Sequence, residues 1–259
     1  METGYLLSAS TKIYQIFTAD NKNAISKIKK RSSFAEIRYK YSYIFRKSAE
    51  FHYFCRVMRL KPPKIVRRLM PDLIWEIDDE DGVFLTFDDG PTPGVTEWIL
   101  STLDKYDAKA TFFVLGKNVE MYPDLFRRIV DAGHKVGNHT YSHQKGWGMS
   151  LERYTEDVDF ANDLIHSELF RPPYARITPA QARFLGQRYK LVMWDIISRD
   201  YNRRLSPRTC LKNVTKHLAP GAIVVFHDSE KAFRNMRYAL PRTLEKIRQM
   251  GLKCKAIEF

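Results

Sequence analysis

From Val83 to the C-terminus, short runs of apolar residues alternate with stretches of helical spacing, and most of the runs end in polar residues. Strands separated by helical crossovers pair in parallel, so this alternation restricts the chain to a small or incomplete β/α barrel or an open doubly wound sheet. Strands are expected over 83–87, 110–115, 135–138, 190–194, 222–226 and 254–257. Helices are expected over 96–106, 123–132, 151–169, 179–187, 207–217 and 240–250. Pro123 in a first turn and Gly133 just past a helix end give the usual start and stop signals. In parallel α/β folds, chemistry gathers at the C-terminal ends of strands.

Composition narrows the class further. No run reaches the roughly 18 apolar residues a membrane span needs. Cys55, Cys210 and Cys254 are scattered and form no Cys-x-x-Cys pair, so a disulfide scaffold is excluded and unpaired thiols in a reducing compartment are expected. The chain of 259 residues carries a net charge of +13, and residues 1–57 hold eleven Lys/Arg against four Asp/Glu.

Polar clusters follow the expected strands. Asp88-Asp89-Gly90-Pro91 ends the first; two adjacent carboxylates after a buried strand must pair, bind a cation or shift their pKa, although Asp-Gly-Pro also makes an ordinary turn. His139-Thr140-Tyr141-Ser142-His143 follows the third; if helical, it presents two imidazoles one turn apart. With Asp89 these make a two-imidazole, one-carboxylate set that leaves an open position, as at catalytic zinc, and that also suits iron, manganese or cobalt. In Arg171-Pro172-Pro173-Tyr174 the prolines stiffen the backbone beside an arginine able to orient a carboxylate. Trp194-Asp195 and Ser198-Arg199-Asp200-Tyr201 follow the next strand, and Val225-Phe226-His227-Asp228 ends another. Each cluster has a structural explanation alone; together they point to one site.

These five segments resemble, in order, the motifs of the NodB-homology polysaccharide deacetylase family, a carbohydrate esterase family that includes chitin and peptidoglycan deacetylases. The resemblance covers 58–259. It implies a distorted, incomplete (β/α) barrel and a metal-dependent hydrolase acting on carbon–nitrogen bonds of linear amides, removing N-acetyl groups from N-acetylated amino sugars. Carried over, Asp88 is the base; Asp89, His139 and His143 hold the metal; His227 is the acid. Arg171 orients Asp88, the Tyr174 amide donates to the oxyanion, and Asp200 tunes His227. Val225 stands at an apolar position beside the acetyl methyl. Zinc is the first expectation for the metal, with cobalt or manganese as alternatives. Ala175 stands where the family usually has glycine, and Ile197 where it often has an acid, which leaves the partner of His227 open between Asp200 and Asp195. Other readings are an amide hydrolase on a non-sugar substrate and a degenerate carbohydrate-binding module.

The basic, aromatic segment 1–57 lies outside the resemblance. Translation starting at Met58 is one reading of it, and a helical appendage is another. A third is an arm in which residues 22–47 contact nucleic acid or an anionic membrane. No secretory signal or obligate protein partner is apparent, so a cytoplasmic location is the default expectation.

Overall fold

The computed structural model describes Pro62, Arg67 and residues 70–259; the expectations for residues 1–57 and for Met58 as a start lie outside the described residues. Among the described residues eight strands make one sheet: β1 (Gly82–Asp88), β2 (Thr111–Val114), β3 (Lys135–Asn138), β4 (Leu169–Phe170), β5 (Lys190–Leu191), β6 (Ile196–Ile197), β7 (Ile223–His227) and β8 (Lys253–Cys254). The order is β5-β4-β3-β2-β1-β7-β6, with β8 also on β1, and every pairing between named strands is parallel. The sheet curls into a half-barrel with flanking helices, as the incomplete-barrel reading expects. The helices are α1 (Val95–Asp104), α2 (Gly116–Met121), α3 (Pro123–Asp131), α4 (Leu151–Ile165), α5 (Pro179–Leu185), α6 (Pro207–Thr215) and α7 (Glu230–Gln249). Among the described residues no helix is long and apolar enough to cross a membrane. Cys210 and Cys254 are free thiols.

Strand alternation separates the two faces of the sheet. Phe87, Phe112 and Phe226 belong to the main apolar core with Ile99, Leu103, Met236 and Leu240 of α1 and α7, and the Phe87 ring stacks on Phe112 at 5.0 Å. The residues between them, Thr86 and Asp88 on β1, Phe113 on β2, and Val225 and His227 on β7, take the other face. The register sets Asp88 beside His227 and Thr86 beside Val225.

Local structure departs from the sequence reading in four places. The helix expected through 169 ends at Ile165, where His166 takes a left-handed φ of 53°. Ser167 then bonds the Val136 carbonyl at 2.7 Å, and Leu169–Phe170 pairs as β4, a strand too short to show a period. The strand expected at 190–194 is β5 alone, and the separate strand β6 leads to Asp200. The helix expected to start at Leu240 starts at Glu230, with Pro241 inside it. Proline is disfavoured in a helix interior, but the buried stripe Ala232, Met236, Leu240, Leu244 and Ile247 holds the helix through it. The His139–His143 segment is a loop rather than a helical turn, with Thr140 at φ 68° and His143 at φ 60°.

A strap at 74–77, not evident in the sequence, bonds both sides of the sheet. Ile74 donates to the Leu191 carbonyl at 2.9 Å and accepts from Met193 at 2.7 Å, while Ile77 donates to Gly221 at 2.9 Å.

Candidate active site

The turn after β1 is fixed from several directions. The Asp228 amide donates to the Asp88 carbonyl at 2.7 Å, the Asp89 amide donates to Phe113 at 3.2 Å, and Asn118 Nδ2 donates to the Asp89 carbonyl at 2.8 Å. Asp89 itself is left-handed, with φ 83°. A Cβ on Gly90 would come within 2.1 Å of Asp228 Oδ2, so only glycine fits this turn. Asp228 is buried and receives a hydrogen bond from Thr96 Oγ1 at 2.7 Å. Burial pushes its carboxyl up to about 8, with Asp89 and Glu97 adding to the rise against the Thr96 bond. Its side chain packs against Gly90 and so braces the turn.

Arg171, at the end of β4, is fully buried. Its Nη1 donates to Asp88 Oδ1 and to Thr86 Oγ1, both at 2.7 Å. Nε donates to the Val192 carbonyl at 3.1 Å and Nη2 to Met193 at 2.8 Å. The Phe113 ring lies 4.0 Å beneath the guanidinium carbon. Burial pushes the guanidinium pKa down, and the charge and hydrogen bond of Asp88 oppose this. Arg171 thus bonds Asp88 directly through Nη1.

Asp89, His139 and His143 converge, with one potential ligand atom from each lying within 4.8 Å of the others. His143 Nε2 lies 3.2 Å and His139 Nε2 3.8 Å from Asp89 Oδ1, yet that buried oxygen has no hydrogen-bond partner. His139 Nδ1 sits 2.7 Å from the Arg171 carbonyl, which can only accept, so Nδ1 carries the proton and Nε2 keeps its lone pair. Burial pushes the His139 imidazole down to about 4 despite the opposing charge of Asp88, keeping the ring neutral at pH 7. Burial raises Asp89, but the contact with His143 and the charges of His227, His139 and His143 outweigh it and hold the carboxylate well below its usual range. An orphaned carboxylate oxygen beside two imidazoles is a donor set that fits a divalent cation.

Sequence reasoning did not find the residues that shape this loop. Asp157, on α4, accepts from the Ser142 hydroxyl at 2.6 Å and from the Tyr141 amide at 3.1 Å. Asn138 Oδ1 accepts from the Thr140 amide at 2.8 Å. Asp157 reads in sequence as one more acid on a polar helix face, and nothing local marks it.

At the other flank His227 ends β7. Its Nδ1 lies 2.8 Å from Asp200 Oδ1, and its amide donates to Asp200 Oδ2 at 2.8 Å. Asp195 instead pairs with Arg67, so Asp200 is the partner of His227. Burial would lower His227, but the charge and hydrogen bond of Asp200, then the charges of Asp89 and Asp88, raise it from 6.5 to about 9. The raised value means the His227–Asp200 pair stabilises the fold fully below pH 6.5, and that contribution is lost as pH rises through about 9. Asn235 and Asn213 fix the Asp200 loop by donating to the carbonyls of Asp200 and Ser198 at 2.9 Å and 3.0 Å.

Tyr174 and Ala175 are both left-handed, with φ of 58° and 56°. The Ala175 conformation explains why a glycine is usual there. The Tyr174 side chain is exposed, its ring is 4.6 Å from His143, and its amide takes no hydrogen-bond acceptor among the described residues.

Comparison with known proteins agrees with this geometry. A family profile described as Polysaccharide deacetylase matches residues 76–190. A peptidoglycan-N-acetylglucosamine deacetylase of Bacillus cereus is 35% identical over 160 residues, covering 57% of this chain and 56% of the relative. A chitooligosaccharide deacetylase of Rhizobium leguminosarum bv. trifolii is 34% identical over 157 residues, covering 58% of this chain and 73% of the relative. The crystal structure of the Bc1960 peptidoglycan N-acetylglucosamine deacetylase superposes with a TM-score of 0.69 at 27% identity, over 72% of this chain and 91% of that one. The chain spans about half, or less, of the length of several curated relatives it matches, down to 36%.

Two outcomes follow from the site geometry. In a proton-NMR titration, the His227 imidazole titrates near 9, and Asp200→Asn moves it toward 6.5; an unmoved midpoint would remove Asp200 as the cause. Ala175→Gly raises unfolding stability in urea by no more than about 1 kcal/mol, because relief of left-handed strain is partly offset by the entropy of glycine in the unfolded chain.

Proposed function

The chain belongs to the polysaccharide deacetylase family, and from that premise we propose that it hydrolyses the N-acetyl groups of an N-acetylated amino-sugar glycan, releasing acetate. The observation that carries the reading is the placement of a carboxylate and an imidazole, each held by its own partner, on either flank of one site. Asp88 is held by a buried guanidinium on one flank, and His227 is held protonated by Asp200 on the other. A base and an acid on either side of a candidate cation site are what hydrolysis of an amide requires.

Asp89, His139 and His143 would hold the metal, and zinc suits this mixed nitrogen and oxygen set, with cobalt or manganese as alternatives. When bound, a divalent cation supplies Lewis-acid polarisation of the amide carbonyl and lowers the pKa of a water. Asp88 accepts the proton of the attacking water, and Arg171 fixes the direction of its free oxygen. The Tyr174 amide donates to the carbonyl oxygen as negative charge develops there; one such donor is typically worth about 3–4 kcal/mol. His227 gives its proton to the departing amine, which would otherwise be too basic to leave. Val225, two residues before His227 on the same face of β7, offers an apolar wall for the acetyl methyl.

The test is acetate release from N-acetylglucosamine oligomers by the full chain. Chelation abolishes it, and zinc, cobalt or manganese restores it. Asp88→Asn lowers kcat by about 100-fold or more while metal binding persists. Full turnover by a metal-free sample, or by Asp88→Asn, overturns the proposal.

A further inference from the structure

The acids of the site already have partners. Asp88 is paired with Arg171, Asp200 with His227, and Asp89 with the candidate cation position. The cations on the two flanking walls have no carboxylate partner among the described residues. On the His143 side, the Arg176 guanidinium lies 5.7 Å from the Tyr174 ring and 5.2 Å from the Trp147 ring. The Tyr174 ring in turn touches that of His143. No carboxylate pairs with Arg176 among the described residues, and its Nε is buried without a hydrogen-bond partner. On the other side, the Tyr201 ring meets His227 edge-on at 4.8 Å, and Lys231 Nζ stands 5.9 Å from Tyr201. Each wall is thus an aromatic ring next to the reacting groups, with a cation beyond it.

The Arg176 wall is a built one. The Gly146 amide donates to the Arg176 carbonyl at 2.7 Å, and Trp147 Nε1 donates to the Ile177 carbonyl at 3.3 Å. Gln181 Nε2 ties the Gly146 carbonyl at 2.9 Å. A Cβ on Gly146 would lie 2.3 Å from Gln181 Oε1 and 2.9 Å from the Arg176 carbonyl, so the two segments approach as closely as a glycine allows. The backbone of Arg176 is therefore held in place before any ligand arrives, which lowers the ordering cost of binding.

We infer that Arg176, with Lys231 opposite, recognises an anionic substituent, carboxylate or phosphate, on a sugar neighbouring the one that is deacetylated. This rests on the deacetylase reading and specifies its substrate class as an acidic N-acetylated glycan. Aromatic faces suit the apolar faces of sugar rings, while a guanidinium with free N–H groups suits a carboxylate or phosphate in a two-point contact. A neutral oligomer would use the rings and leave both cations unmatched.

The experiment compares kcat/KM for a neutral N-acetylglucosamine oligomer with matched oligomers carrying one carboxylate or one phosphate on the adjacent sugar, at low and high salt. Calorimetric binding of the same three probes is measured in parallel. Wild type favours a charged oligomer through KM, and the preference shrinks as salt rises. Arg176→Gln lowers the charged-to-neutral ratio by about tenfold, in both kcat/KM and binding. The carboxylate and phosphate arms show which anion is the better ligand. A ratio near one in wild type, or one that Arg176→Gln leaves unchanged, overturns the inference. If no acetate is released from any oligomer, the deacetylase reading fails, and the binding ratios still decide the role of Arg176.

Discussion

The buried guanidinium of Arg171 is the interaction on which the site depends. It spans from Asp88 and Thr86 on β1 to the carbonyls of Val192 and Met193 beyond β5, with Phe113 of β2 beneath it. Its own carbonyl fixes the tautomer of His139. A full charge removed from water is tolerable only if its partners are all in place, and removing one partner of such a pair typically costs about 3–5 kcal/mol. The same residue therefore aligns the proposed base, sets the lone pair of a proposed metal ligand and joins opposite parts of a curled sheet. The proposed base and the proposed ligand His139 share this one anchor.

Around that anchor the backbone is held in conformations that side chains rarely favour. Asp89, Thr140, His143, Tyr174, Ala175 and Arg199 all have left-handed φ values, and all lie in the motif loops or beside them. Such strain persists only where surrounding bonds over-determine the loop. Asp157, Asn138 and Asp228 supply those bonds on the metal side, and Asn213 and Asn235 do so beneath Asp200. The site is thus shaped as much by residues that touch no ligand as by those placed to do so.

The strand-end carboxylates and imidazoles were legible because their chemistry is out of place in sequence. Asp88-Asp89 after a buried run, and His227 ending another, are costly unless used. The parallel sheet was legible from alternation, and the long strands fell near their expected positions. Two-residue strands such as β4 and β6 were not, since two residues carry no period. The start of α7 lies ten residues before the expected Leu240, and Pro241 sits inside it because tertiary packing outweighs a local helix-breaking residue.

The sequence by itself determined the strand–helix alternation, the residue types of the site and their family resemblance, all of which rest on local order along the chain. Only the tertiary structure decided that Asp200 and not Asp195 holds His227, that a loop rather than a helical turn brings His143 to Asp89, and that Arg176 stands beside Tyr174 with no carboxylate partner among the described residues. Each of those depends on a contact between segments distant in sequence. Spacing along a chain sets which face of an element a residue occupies, but the partner it meets is set by how the elements pack.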